Sequence, residues 1–355
     1  MVARQQSCRF TDALQLAVMD QIWAPVPFGR LALPLLIQQL QHRDASCRLR
    51  ALTSLCDLVH EPEWLYGLVN GGFFKDLHVV LKDEDPSVRA KTCELIHLVT
   101  NHSIGRLALL SSSLLPSLSD LLDDPSSSCR RNVHLVLNGL AQLPAGADAF
   151  LKLVPKLMLK LREMQQQEEE EEEVLLLSTL TSCSRLDPRP TLVSGGIPLM
   201  GQRLSHCSRD VRREAAAVLI ALSVPEDGKR QVCEEQLLPV LMDLLQDGDV
   251  EVQTNAAGVI MNTVIITTGK RLSLELNAVP ILLNLLAEEE EEEQRKRRKA
   301  LILYCLRALT ALAEAPEGRR LLQDQLPLLE RRSVDQDQDI RRAAQTAIRV
   351  FTWNP

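Results

Sequence analysis

The strongest constraint in this chain is a period of 41 residues. Cys47, Val88, Cys129, Val211 and Val252 fall at gaps of 41, 41, 82 and 41. Pro116, Pro155, Pro198, Pro239 and Pro280 keep nearly the same ruler, at 39, 43, 41 and 41. Gly105, Gly146, Gly228 and Gly269 keep it again, at 41, 82 and 41. Three residue types on one period make the chain a tandem array, degenerate in its middle unit.

Each unit has the same anatomy. A Pro-led apolar run opens it, such as LLPSLSDLL from Leu114 or LLPVLMDLL from Leu237. Pro suits a first helical turn, where its missing N–H has no intrahelical partner anyway. A polar turn follows, then a long helix at the 41-spaced anchor, then a Gly-bearing link that ends the unit. On the long helix, positions +4, +8 and +11 from the anchor share one stripe. They read Ala51, Leu55, Leu58; Thr92, Ile96, Val99; Val133, Leu137, Leu140; Ala215, Leu219, Leu222; and Ala256, Ile260, Thr263. A unit this small cannot bury such a face alone, so neighbours must stack.

The period lies in the range of armadillo and HEAT repeats. The sequence therefore predicts an all-α, armadillo/HEAT-type α-solenoid over residues 31–355, a right-handed superhelix of about seven repeats with a C-terminal cap. Residues 1–30 stand apart. Glu-rich insertions at 165–173 and 288–299 interrupt the array and are expected to loop out on one edge. Aromatic residues are only 3% of the chain, so the core must be Leu, Val, Ile and Ala, as helix-on-helix packing prefers.

The formal net charge is −7, and the two Glu runs, Glu168–Glu173 and Glu288–Glu293, carry twelve acidic residues between them. The acidity is local, and no dominant basic field exists to condense on phosphates, which argues against nucleic acid as a partner. Nine unclustered Cys without a C-x-x-C pair point to free thiols in a reducing compartment. Cys47 and Cys129 replace Val at the anchor and are expected in the core. No apolar run is long enough to cross a membrane, and no secretory leader is expected.

Chemistry is sought and not found. The seven His form no metal-ligand spacing, and His206–Cys207 reads as a turn residue beside a small thiol. Gly228-Lys229-Arg230 and Gly269-Lys270-Arg271 lack the hydroxyl of a phosphate-binding loop and recur at the repeat period. No nucleophile, base and orienting partner can be assembled, so neither an enzyme nor a cofactor or small-molecule substrate is expected. Asp44–Arg48, Asp85–Arg89 and Asp337–Arg341 stand at i,i+4 and predict a ladder that fixes the turn before each long helix. Glu288–Glu293 followed by Arg295–Lys299 reads as a solvated, self-neutralising helical extension.

Function would sit on the long-helix row at +3, +6 and +10, opposite the neighbour contacts. Its polar members are Arg50, Asp57, Lys91, Glu94, Asn132, Glu214, Asn255 and Asn262. Such a mixed row suits a peptide or helix of a protein partner. Armadillo import receptors repeat a Trp and an Asn along it. Here Trp23, Trp64 and Trp353 are off the row and only Asn262 fits the Asn position.

Several segments go beyond generic patterning: ALTSLCDLVHEPEWLYGLVNGG from Ala51, LKDEDPSVRAKTCELIHLVTNHSIGR from Leu81, GLAQLPAGA from Gly139, SVPEDGKRQV from Ser223, TNAAGVIMNTVIITTGK from Thr254 and ALTALAEAPEGRR from Ala308. Through them the chain resembles the radial spoke head 14 homologue family, armadillo-repeat proteins of motile cilia and flagella. The resemblance runs from about residue 35 to the C-terminus and leaves out residues 1–30 and both Glu runs. It implies a non-catalytic subunit of the radial spoke in the axoneme, a cytoplasmic, cytoskeletal setting, and other radial spoke proteins as partners. It supplies no catalytic residue. The alternative is a soluble armadillo-repeat adaptor for transport or signalling.

Overall fold

The computed structural model describes residues 32–164, 170–287, 292–323 and 325–352, and among them every regular element is helical. The chain divides into two compact units, Met1–Ala149 and Phe150–Pro355.

The first unit contains α1 (Ala32–Gln39), α2 (Ala45–Leu58), α3 (Pro62–Asn70), α4 (Phe74–Val80), α5 (Pro86–Thr100), α6 (Ser103–Leu110), α7 (Leu115–Asp120) and α8 (Ser127–Ala141). Helix α9 (Pro144–Phe150) runs to the boundary. The second unit continues with α10 (Val154–Glu163), α11 (Glu170–Leu186), α12 (Arg189–Val193), α13 (Gly196–Arg203), α14 (Arg209–Leu222), α15 (Glu226–Glu234), α16 (Leu238–Leu244) and α17 (Val250–Thr263). It ends with α18 (Thr267–Glu275), α19 (Ala278–Ala287), α20 (Glu292–Leu312), α21 (Pro316–Gln323), α22 (Leu326–Arg332) and α23 (Gln338–Phe351).

The repeat is thus a triplet: a short helix, a second helix that is Pro-led everywhere but at α4, and a long helix. In the first unit α2 packs on α5 and α5 on α8. In the second α11, α14, α17, α20 and α23 pack in series. The predicted stripe is the core: every residue named at +4, +8 and +11 is buried. Val88, Cys129, Val211 and Val252 are fully buried anchors. Cys47 is the exception, half-exposed at the edge of α2, with its Sγ 3.2 Å from Arg50 Nη2.

The periodic glycines do not end the unit, as the sequence pattern suggested. Gly105, Gly146, Gly228 and Gly269 are each the third residue of the short helix, and Gly318 is a fifth. A side-chain carbon there would overlap the carbonyl oxygen of Val99, Leu140, Leu222, Thr263 or Leu312, six residues back near the end of the long helix. The glycine lets the chain double back against its own helix. Four of the links into the second helix of a repeat use left-handed backbone, at Gly72 and Gly195 and, without glycine, at Gln236 and Asn277.

The long helices are started by side-chain caps. Asp44, Asp85, Ser126, Ser208, Asp249 and Asp337 are N-caps whose side chains accept first-turn N–H groups. Two residues earlier, His42, Asp83, Asp124, His206, Asp247 and Asp335 accept the N–H of the cap residue itself. The expected i,i+4 Asp–Arg pairing is replaced by a better one. Arg48, Arg89, Arg130, Arg212 and Arg341 each donate Nη1 to two carbonyls of the turn before their own helix. Three of them then reach the next repeat: Arg48 Nη2 to Asp83 Oδ1 at 2.8 Å, Arg89 Nε to Asp124 Oδ2 at 2.6 Å, and Arg212 Nη2 to Asp247 Oδ2 at 2.9 Å. The ladder ties repeat to repeat.

The Glu runs also differ from expectation. Glu168 and Glu169 lie outside the described residues, but Glu170–Glu173 form the first turn of α11 rather than a loop. Glu173 is buried and pairs with Arg203, Nε to Oε1 at 2.6 Å, while Arg203 Nη2 donates to the Leu161 carbonyl. Glu170 Oε1 accepts from Ser208 Oγ at 2.6 Å. Of the second insertion, residues 288–291 lie outside the described residues. From Glu292 the chain extends α20 by about two turns before its buried stripe begins at Leu301. The basic run sits on those turns: Arg298 is buried and donates to the Leu285 carbonyl, and Lys299 Nζ lies 2.8 Å from both Asp337 and Asp339.

Candidate protein-binding grooves

In the first unit the rows predicted from sequence line an open groove of about 490 Å³ between α5 and α8. Lys91, Glu94 and Asn132 line it together with Pro86, Pro125 and Ser128. Lys91 Nζ and Glu94 Oε1 are 2.7 Å apart, one helical turn from each other. Burial alone would push the Lys91 ammonium down. The Glu94 hydrogen bond and the neighbouring acidic groups outweigh it, and the pKa is raised. Asn132 is buried and donates Nδ2 to the Ala90 carbonyl at 2.9 Å. Arg50 and Asp57 are exposed on α2 and do not line this groove.

In the second unit Glu214 lies on α14, half-buried, 3.3 Å from Arg213 Nε. Burial raises its pKa despite the arginine. Asn255 Nδ2 donates to the Arg213 carbonyl at 3.0 Å. Asn262 Nδ2 donates to the Ile220 carbonyl at 3.2 Å and to Ser223 Oγ at 3.1 Å. The three asparagines therefore repeat one geometry. Each braces a long helix against a carbonyl of the long helix before it, 42 residues earlier. Asn262 spends both its N–H groups this way. Asn132 and Asn255 keep one N–H and a carbonyl oxygen for another partner.

The final repeats hold a groove that the sequence rows did not reach. Between α20 and α23 lies an open cleft of about 470 Å³, lined by Arg307, Thr310, Ala311, Arg342, Ala343 and Thr346 among others. Counted from the buried anchors Leu301 and Ile340, Arg307 and Ala311 are +6 and +10, and Ala343 and Thr346 are +3 and +6. The second insertion displaces the anchor from the 41-residue ruler, so the columns could not be extended past Val252. Gly318, in Pro316-Glu-Gly-Arg-Arg, matches the earlier Gly-Lys-Arg segments and was the signal that could have restored the register.

Among the described residues no group of three or more His, Cys, Asp and Glu is placed to hold a metal ion, and no helix is long and apolar enough to cross a membrane. Burial pushes the Cys183 and Cys305 thiols up to about 12, so they are protonated core side chains rather than nucleophiles.

Comparison with known proteins agrees with this geometry. The armadillo/beta-catenin-like repeat family model matches residues 225–262, one helical triplet from α15 to α17. The family of non-SMC mitotic condensation complex subunit 1 matches residues 51–193. Among solved structures, an engineered protein of the Northeast Structural Genomics Consortium is 18% identical with a TM-score of 0.73, over 91% of this chain and 89% of that one. A designed armadillo repeat protein is 19% identical with a TM-score of 0.59, over 65% of this chain and 99% of that one. At such identities the likeness concerns fold, and with the repeat anatomy it establishes an armadillo/HEAT-type α-solenoid.

Proposed function

We propose that this protein is a non-catalytic scaffold that holds other proteins along the grooves of its long helices, and that it does so as a subunit of the radial spoke in the axoneme of motile cilia and flagella. The observation that carries the scaffold reading is the division of labour on the long helices. One face is buried in neighbours, the start is fixed by caps and the Arg–Asp ladder, and in two places the remaining row lines an open cleft. The armadillo and condensation-complex family matches agree with a helical scaffold. The axonemal setting and the spoke partners rest on the CDLVHEPEW and AEAPEGR segments, which resemble the spoke family beyond what stacking requires.

The test is extraction of isolated axonemes with salt, followed by crosslinking in native cilia. The reading expects the protein to stay with the axoneme at moderate salt and to crosslink to spoke subunits. Recovery in the soluble fraction, or equal expression in cells without motile cilia, would favour an adaptor and sink the axonemal assignment.

A further inference from the structure

We infer that the cleft between α20 and α23 is a docking site for an acidic peptide segment of a protein partner, gripped by Arg307 and Arg342. This rests on the scaffold reading and names the chemistry of one partner surface. Two carboxylates line the cleft, Glu314 and Asp339, and each has a lysine partner outside the lining: Glu314 has Lys270, and Asp339 has Lys299 Nζ at 2.8 Å, which it shares with Asp337. Arg307 and Arg342 are exposed, and among the described residues neither has an ion-pair partner. The cleft therefore presents two free guanidiniums. Ala311 and Ala343, small enough to let a backbone approach, line it as well, with Thr310 and Thr346, whose hydroxyls donate to carbonyls of their own helices. The surface continues into an adjoining cleft of about 480 Å³ lined by Arg349 and Val350, where Arg349 Nη2 is spent only on Thr346 Oγ1 at 3.2 Å.

A guanidinium offers a planar fork that matches a carboxylate bidentately. The groove between α5 and α8 has similar volume but lacks this property, because Lys91 is closed on Glu94 and Asn132 on the Ala90 carbonyl. Of the two grooves, the one between α20 and α23 alone presents guanidiniums without an ion-pair partner among the described residues.

The test uses the full chain and a fluorescent peptide of six Glu flanked by Gly and Ser, read by anisotropy at low salt. A six-Gln peptide and a phosphoserine peptide are run beside it. The expected result is saturable binding of the Glu peptide, weakened by added salt, with the Gln peptide bound at least about tenfold more weakly. Arg307→Gln with Arg342→Gln should weaken the Glu peptide about tenfold, the equivalent of roughly 1.4 kcal/mol. Arg271→Gln, an exposed arginine paired with Glu275 on α18, should leave binding unchanged. Circular dichroism melting of each variant separates lost binding from lost fold, and crosslinking of wild-type protein to the Glu peptide at α20 or α23 gives a readout independent of mutation. Equal binding of the Gln peptide, unchanged binding by the double variant, or binding of the phosphoserine peptide alone overturns the proposal. So does arginine-dependent self-association that vanishes on deleting Glu288–Glu293, which would make the occupant a second copy. Retention in axonemes does not depend on this result, so a failed groove and a failed scaffold are told apart.

Discussion

The repeats built on α8 and α14 and the repeat built on α11 solve the same packing problem with different chemistry. In the regular repeats the anchor is Cys129 or Val211, fully buried and apolar. The buried columns of α11 put Glu173 at that place, with Leu177, Thr181 and Ser184 as its stripe. A carboxylate in an apolar column is tolerable only when paired, and Arg203 pairs it while also satisfying the Leu161 carbonyl. The same repeat departs at the next junction. Where the repeats on α5, α8, α14, α17 and α20 carry glycine six residues after the stripe ends, it has Thr191 seven residues after Ser184, and the two hydroxyls bond at 2.9 Å. One added residue gives room for a side chain, and the side chain supplies a bond in place of close backbone approach. The stack thus fixes which positions are buried and how helices follow one another. It does not fix which residues satisfy those demands.

The comparison can be broken most severely at Glu173. Glu173→Ala leaves Arg203 buried without its partner and should cost about 3–5 kcal/mol in chemical denaturation. Glu173→Leu combined with Arg203→Met should return to within about 1–2 kcal/mol of wild type, because an apolar anchor is what the regular repeats use. A double variant as unstable as the single would mean that the carboxylate is not standing in for an apolar anchor. Next in size is the junction. Gly228→Val puts a side chain against the Leu222 carbonyl and should cost about 2–3 kcal/mol, read as a lower denaturation midpoint. Thr191→Gly removes one buried hydroxyl bond and should cost only about 1–2 kcal/mol. Equal losses would deny that the two junctions work differently.

What the sequence made legible follows from which constraint each feature obeys. The anchor and its stripe were readable because burial acts on every repeat alike, so Ala215 or Leu219 is identified by column alone. The glycine column was readable as a period but not as a role. Gly228 looks like a terminator until the short helix α15 is seen to begin at Glu226. The asparagines were readable as members of an outward row. Their inward bonds to carbonyls 42 residues back depend on how closely two long helices approach, and no local pattern encodes that distance. The buried end of the first Glu run was illegible because charge repetition masks register: six identical residues give no column, and only Arg203, thirty residues on, marks Glu173 as the one at the anchor. The cleft between α20 and α23 was lost to the second insertion, which displaced the ruler just where two arginines become free.

The effect that reports most directly on coupling between repeats lies in the ladder. Arg48 and Asp44 sit four apart on one helix, yet Arg48 is tied to Asp83 of the next repeat. The same geometry ties Arg89 to Asp124, whose side chain is almost wholly buried. Burial works to raise the Asp124 pKa, but the Arg89 hydrogen bond and the Ser126 N–H outweigh it and hold the carboxyl below its usual range. Asp124 therefore binds protons more weakly in the folded chain than in the unfolded one. Its contribution is complete above its unfolded value of about 4 and is lost as the pH falls through the lower folded value. Arg89→Ala should cost about 1–2 kcal/mol at neutral pH. Between pH 4 and pH 2 the gap between variant and wild type should narrow, because wild type loses the pair that the variant already lacks. A gap independent of pH would show that Arg89 stabilises only through its two turn carbonyls, and that neighbouring repeats are joined by apolar packing and asparagine braces rather than by charge.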